Sequence, residues 1–264
     1  MGTMLALAQL RKSYDDGRSF AVDGVGFEAA AGELVVLVGE SGCGKTTTLK
    51  MINRLVEPTS GAIRIDGYDA LQADPVQLRR GIGYVIQGVG LFPHMDVAQN
   101  VGIIPTLLGW EGRRVRRRVN ELLELVDLDP DTYRHRMPAQ LSGGQMQRVG
   151  FARALAAEPS LVLLDEPFGA LDPITRDRLQ LEFKQIQRQV GFAAVLVTHD
   201  MTEALLMADR IIALREGQVV ASGTPHELLV SSEHGYVAGL LGAARRHAQG
   251  LAAIAAGEAK APRP

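Results

Sequence analysis

The chain has little that would staple it, anchor it or give it a strong field. Its 264 residues include a single cysteine, Cys43, which excludes an internal disulfide framework and fits a reducing compartment. No apolar run approaches the roughly 20 residues that a membrane-spanning helix needs. A large excess of charge of either sign is missing too. The formal net charge of -2 and the pI near 6.3 recommend neither nucleic acid nor an anionic membrane surface as the partner. Residues 1–10 lack a basic segment followed by a long apolar one, so no secretion signal is read and a cytoplasmic location is expected. What is present is an apolar fraction of 46%, enough to bury a substantial core in one large domain or two small ones.

Lysine is scarce, and one of the few lies in Gly39-Glu40-Ser41-Gly42-Cys43-Gly44-Lys45-Thr46-Thr47. This run contains the spacing G-x-x-x-x-G-K-[ST] of a phosphate cradle. Glycines let successive N–H groups converge on an anion, Lys45 reaches the outer phosphates, and the Thr46 hydroxyl suits Mg²⁺. Leu34–Val38 upstream is an apolar run of strand length. Residues 46–56 read as a helix whose N-terminal dipole faces the phosphates. That helix is expected to end near Glu57-Pro58, since proline disfavours helix at the residue before it. A chance glycine-rich turn would explain the loop but not the lysine. Cys43 within the cradle is either a space-filling residue or a thiol whose alkylation would block the site.

Residues 4–10 alternate weakly and suggest an edge strand, followed by a polar turn over residues 12–18. Tyr14 in that turn would either stack on a nucleotide base or pack on the surface. Further strands are expected at residues 20–27, 62–66 and 82–87. Gln87 would then either reach Mg²⁺ and the attacking water or serve only as a polar cap. From residue 97 to 157 helical periodicity takes over, clearest at Val115, Val119, Leu122, Leu123 and Val126. The basic residues 113–118 offer a nucleic-acid patch or a solvated helix face, and acidic Glu121 and Glu124 just beyond favour the second.

Leu141-Ser142-Gly143-Gly144-Gln145 opens a helix. Ser142 is a good N-cap, and the free N–H groups of Gly143 and Gly144 make a second anion site. Residues 161–164 form an apolar strand ending in Asp165-Glu166, at the sheet edge where open α/β sheets bind ligands. Beside a phosphate cradle, Asp165 would hold Mg²⁺ through water and Glu166 would act as general base. Residues 193–197 form another strand ending in Thr198-His199-Asp200, from which His199 would contact a γ-phosphate, although a lone histidine is usually structural. Residues 211–214 and 218–222 read as a hairpin around Arg215-Glu216-Gly217. Beyond Leu241 an Ala-rich, frayed tail is expected.

The order of the cradle, Gln87, Leu-Ser-Gly-Gly-Gln (141–145), Leu-Leu-Asp-Glu-Pro (163–167), Ala170-Leu171-Asp172 and His199 resembles the nucleotide-binding subunit of an ATP-binding cassette (ABC) transporter over about residues 5–241. The resemblance implies an α/β fold: a RecA-like P-loop NTPase core with an edge antiparallel β-subdomain and a helical subdomain near residues 97–157. The ATPase domain would span residues 1–241, with a tail at 242–264. By position, Tyr14 matches the adenine-stacking aromatic, and Gln87 matches the glutamine that senses Mg²⁺ and γ-phosphate. Residues 88–100 would help receive a coupling helix of an integral-membrane permease. Two ATP would bind between the head-to-tail cassettes of a homodimer, with Ser142, Gly143, Gly144 and Gln145 of one chain completing the site begun by Lys45 of the other. Asp172 would lie in the loop crossing that interface, and His199 would be the switch histidine.

Within the family, Gly83-Tyr84-Val85-Ile86-Gln87, Gly90-Leu91-Phe92-Pro93-His94-Met95, residues 129–133, residues 168–174 and residues 198–204 resemble the cassettes of glycine betaine, carnitine and choline importers. Such a cassette sits on the cytoplasmic face of the membrane and meets a solute-binding protein only indirectly. Many carry a tandem regulatory domain; this chain stops soon after Leu241, which puts ionic-strength sensing by such a domain in doubt. A soluble ABC ATPase of DNA maintenance would bring a long heptad insertion, and none is seen. A non-hydrolysing regulatory module would not need Lys45, Glu166 and His199 together. The remaining alternatives are another importer substrate or a lipid-trafficking ATPase.

Overall fold

The computed structural model describes residues 2–88, 90–230, 235, 236, 238–240 and 242. The tail expected at residues 242–264 lies, apart from residue 242, outside the described residues.

Strands β1 (Thr3–Lys12), β2 (Val22–Ala30) and β3 (Leu34–Val38) lead into helix α1 (Lys45–Ile52), followed by β4 (Ser60–Ile65) and β5 (Tyr68–Asp69). Four of these strands make an antiparallel sheet in the order β2-β1-β4-β5. β1 is therefore an interior strand, not the edge strand its weak alternation suggests, because β2 pairs with one side and β4 with the other. α1 also stops earlier than the proline rule implies. Arg54 takes a left-handed φ of 49°, and the N–H groups of Leu55 and Val56 both turn back to the Lys50 carbonyl. The Arg54 guanidinium then donates to the carbonyls of Ala70 and Ala73, 3.2 and 2.6 Å away. A left-handed cap closed the helix before proline had any say.

Helix α2 (Pro75–Gly81) starts on an Asp74 cap with proline in its first turn and runs into β6 (Ile82–Val85). β6 ends two residues short of Gln87. Helices α3 (Val97–Leu107), α4 (Gly112–Leu125) and α5 (Pro130–Tyr133), a 3₁₀ turn at Pro138–Gln140 and α6 (Gly143–Leu155) follow. Val119, Leu122 and Leu123 of α4 are buried in the core with Val101 of α3 and Val149 of α6. Arg113, Arg114, Arg116 and Arg117 at the start of α4 are exposed and Arg118 is half-buried, and Arg114, Arg117 and Arg118 pair with neighbouring groups. Arg114 lies 3.4 Å over the Trp110 ring and 3.4 Å from Glu158, while Arg118 donates to the Leu155 carbonyl at 2.9 Å. That is a structural helix face rather than a nucleic-acid patch.

The chain continues through β7 (Leu161–Asp165), α7 (Pro173–Val190), β8 (Ala193–Thr198), α8 (Met201–Met207), β9 (Arg210–Arg215), β10 (Gln218–Gly223) and α9 (Pro225–Val230). The larger sheet has the order β10-β9-β3-β8-β7-β6. All of its neighbours are parallel except the β9–β10 hairpin. Both faces are covered, as parallel sheets require. Leu34, Val36 and Val38 of β3 enter one core, with α3, α4, α6, α7 and α8; Val35 and Leu37 enter a second, with α1 and the antiparallel sheet. Parallel direction has one consequence for chemistry. The residues that follow β3, β6, β7 and β8 all emerge at the same edge.

Candidate functional site

The cradle follows β3 at this edge. A Cβ on Gly39 would sit 2.2 Å from the Leu214 carbonyl oxygen and 2.7 Å from Cys43 Sγ; on Gly44, at φ 101°, it would sit 2.5 Å from the Ala21 carbonyl oxygen. Glycine is needed at both because the backbone passes so close to its neighbours. Lys45 is only 5% exposed, and its ammonium donates to the carbonyls of Gly39 and Glu40, both at 2.8 Å. Its charge is thereby held inside the ring of the loop. The Cys43 side chain points into the core beneath, with Sγ 3.6 Å from Lys45 Nζ, so the space-filling account fits it. Ser41 and Gly42 are exposed at the loop tip.

Opposite stand the carboxylates of β7. Thr46 Oγ1 donates to Asp165 Oδ1 at 2.8 Å, joining the cradle to the strand. Burial pushes the Asp165 carboxyl above the usual range, and the Thr46 hydrogen bond pulls it back. Glu166 follows with a left-handed φ of 44°, fixed by its N–H donating to the Val197 carbonyl at 3.0 Å. Its two carboxylate oxygens have different neighbours. Gln87 Nε2 donates to Oε2 at 3.3 Å, and His199 Nδ1 lies 3.3 Å from Oε1. Two polar side chains, following β6 and β8, thus converge on the carboxylate that follows β7.

Ser142 caps α6 in a reciprocal pair: its Oγ accepts from Gln145 N–H at 3.3 Å, and Gln145 Oε1 accepts from Ser142 N–H at 2.9 Å. Gln145 Nε2 turns inward to the Tyr133 hydroxyl at 3.1 Å. Ser142 and Gly143 remain exposed. Gly144 brings α6 close to α7, where a Cβ would lie 2.8 Å from Thr175 Cγ2. Among the described residues no hydrogen bond or ion pair joins residues 142–145 to residues 39–47. A cavity of about 500 Å³ lies beside the motif, lined by Gln87, Gly143, Glu166, Leu171 and His199. Asp172 caps α7 by accepting from Thr175 N–H at 3.0 Å, and those bonds hold its carboxyl low. Tyr14 is exposed in the β1–β2 turn with Lys12 Nζ 5.0 Å over its ring.

Two contacts went unremarked in the sequence. The Tyr236 hydroxyl accepts from the Glu40 N–H at 3.2 Å and donates to the Leu214 carbonyl at 3.2 Å, so a residue 196 positions away braces the cradle. Arg153 of α6 donates to the Gly90 carbonyl at 2.7 Å and lies 5.8 Å over the Phe92 ring, seating the segment after Gln87. That segment, in which Val89 is outside the described residues, borders a groove of about 700 Å³ lined by Met95, Ile103, Leu107, Val115 and Val119.

Residues 22–169 match the profile of the ABC transporter family. That is more than half of the chain, and it contains the cradle, Gln87, the Ser142 motif and both β7 carboxylates. The chain belongs to the ABC transporter family. An ABC protein from Bacillus subtilis, a glycine betaine/carnitine/choline transport ATP-binding protein, is 54% identical over 242 residues, 92% of this chain and 63% of that protein. This chain thus spans less than two thirds of that relative. A glycine betaine uptake system ATP-binding protein of Escherichia coli is 48% identical, with 84% of this chain and 71% of the relative aligned. Among solved ABC structures, a dimeric ATP-binding cassette in a post-hydrolysis state with ADP and phosphate is 35% identical, with a TM-score of 0.74 over 84% of this chain and 99% of the other. The fold is that of a P-loop NTPase cassette. No helix among the described residues is long and apolar enough to cross a membrane.

Proposed function

We propose that this chain is the ATP-hydrolysing subunit of an ABC importer for quaternary-amine osmoprotectants. The observation that carries hydrolysis is Glu166, set between Gln87 and His199 at the edge that also bears Lys45. The cradle N–H groups and Lys45 bind the phosphates of ATP; Tyr14 stacks on the adenine. A water seated against Glu166 attacks the γ-phosphorus, Glu166 accepts its proton, the bond from γ-phosphorus to the bridging oxygen breaks, and ADP and phosphate leave. His199 and Gln87 orient the γ-phosphate and that water. Thr46, Asp165 and Gln87 offer oxygen donors suited to Mg²⁺, and Thr46 and Asp165 are already in contact. One carboxylate with a hydroxyl and an amide fits an ion that keeps several waters and shares phosphate oxygens. When bound, that ion neutralises charge on the transferring phosphate.

Two copies are assigned head to tail, so that exposed Ser142 and half-buried Gly144 of one meet the phosphates held by Lys45 of the other. The dimeric relative supports this, and among the described residues no hydrogen bond or ion pair joins 142–145 to 39–47 within one chain. The groove between α3 and α4 is assigned to a coupling helix of the permease, placing the cassette at the cytoplasmic face of the membrane. The ATPase domain is taken as residues 1–241 with its helical subdomain near 97–157. The cargo is assigned from the relatives named for glycine betaine, carnitine and choline transport.

The test is uptake of labelled betaine, choline and carnitine at ordinary and raised osmolarity, comparing the chain with Glu166→Gln in a deletion background. Uptake restored only by the intact chain is expected. ATP hydrolysis without restored uptake of any of the three would assign the motor another cargo.

A further inference from the structure

Behind His199 lies a carboxyl that the hydrolysis scheme does not use. Glu203 of α8 is 6% exposed. Its Oε2 accepts from the Thr198 hydroxyl, its Oε1 accepts from Gln180 Nε2 of α7 at 3.3 Å, and the same Thr198 oxygen accepts from the Asp200 N–H at 3.0 Å. The residue thus clamps both neighbours of His199. Through Gln180 it also ties the clamp to α7, the helix capped by Asp172. We propose that Glu203 is a positioning residue: its ionised carboxyl fixes the Thr198–Asp200 turn so that His199 meets Glu166, and links that alignment to the helix that begins at the cassette interface.

The donors suit an ionised carboxyl. Gln180 Nε2 can only donate, so Oε1 accepts, and the Thr198 hydroxyl donates to Oε2 while its oxygen accepts from the Asp200 N–H. Burial works against that charge and pushes the carboxyl up to about 7; Thr198 opposes the shift, Asp200 adds to it, and Gln180 and Arg176 oppose it. Arg176 of α7, Asp200, and His199 and Glu166 across a small cavity are the charged or titratable groups that face it. Protonation turns one oxygen into a donor and obliges the Thr198 hydroxyl to reorient.

This inference rests on the ATPase reading. The experiment is the pH profile of kcat and of KM for MgATP between pH 6 and 8.5, on the full chain and on Glu203→Gln, an isosteric stand-in for the neutral acid. Wild type is expected to gain activity through a step near neutral pH. The variant should lose that step and turn over roughly tenfold more slowly at pH 8, less than the 10²-fold cost of a full 1 Å misplacement, with KM unchanged. Gln180→Leu, which keeps the carboxyl but cuts the tie to α7, should also lower kcat at unchanged KM. A variant with the wild-type rate at pH 8, or one that keeps the wild-type step, would overturn the assignment and leave the ATPase reading standing. A wild-type chain that hydrolyses no ATP at any pH would overturn both.

Discussion

Gly39 and Glu203 show how much a single residue decides. At Gly39 the limit is space: alanine would drive a methyl group into the Leu214 carbonyl and the Cys43 thiol. Gly39→Ala is expected to fold but to weaken ATP binding at least tenfold, about 1.4 kcal/mol, measured by calorimetric titration. At Glu203 the limit is solvation. Its folded carboxyl is raised from 4.5 to about 7, so the native state holds a proton that the unfolded chain releases. The resulting stabilisation is fully present below about pH 4.5 and is lost as pH rises through about 7. Thermal unfolding should therefore show wild type losing more stability than Glu203→Gln between pH 5 and pH 8. Cys43 is 5% exposed. Alkylation is expected to be slow in the folded protein, and once formed the adduct should abolish hydrolysis by displacing the Lys45 ammonium beside it.

Helix starts and strand ends carried most of what could be read in advance. Ser142 caps α6 with Gln145 as its reciprocal partner, a signature complete within four residues. Ser142→Ala removes the cap at a cost of about 1 kcal/mol, or roughly 2–4 °C in Tm for a domain of this size. Its effect on ATPase rate should be far larger than that shift, because the same hydroxyl is assigned to the partner's phosphates. Steady-state hydrolysis alongside thermal unfolding separates the two. Local chemistry of this kind, together with the apolar runs of β3, β7 and β8, made the ends of those strands legible, with Asp165 closing β7 and Thr198 closing β8. What local signals do not encode is strand order. Weak alternation in β1 marked an edge, but pairing with both β2 and β4 put it inside. The end of α1 was misplaced for a related reason, since Arg54 is locked by carbonyls 16 and 19 residues away. Tyr236 reaches Glu40 across 196 positions, and no motif announces it.

At the scale of the whole molecule, the parallel strands of the larger sheet bring Lys45, Gln87, Glu166 and His199 to one edge. The helices from α3 to α6 lie to one side. Phe151 of α6 touches Phe168, just after β7, and Phe183 of α7, with ring centroids 5.7 and 5.1 Å apart. α6 is thereby packed against the loop after Glu166. Among the described residues, Ser142 bonds to Gln145 of its own helix and not to the cradle. Glu166→Gln with MgATP is accordingly expected to double in mass by light scattering, and a monomer at saturating MgATP would count against the head-to-tail assignment. The central claim is that Glu166 is the base for hydrolysis. Single-turnover cleavage of bound ATP in Glu166→Gln tests it most directly: loss of the base should slow the chemical step by about 10²–10⁴-fold with ATP affinity retained. Cleavage at the wild-type rate would contradict the account.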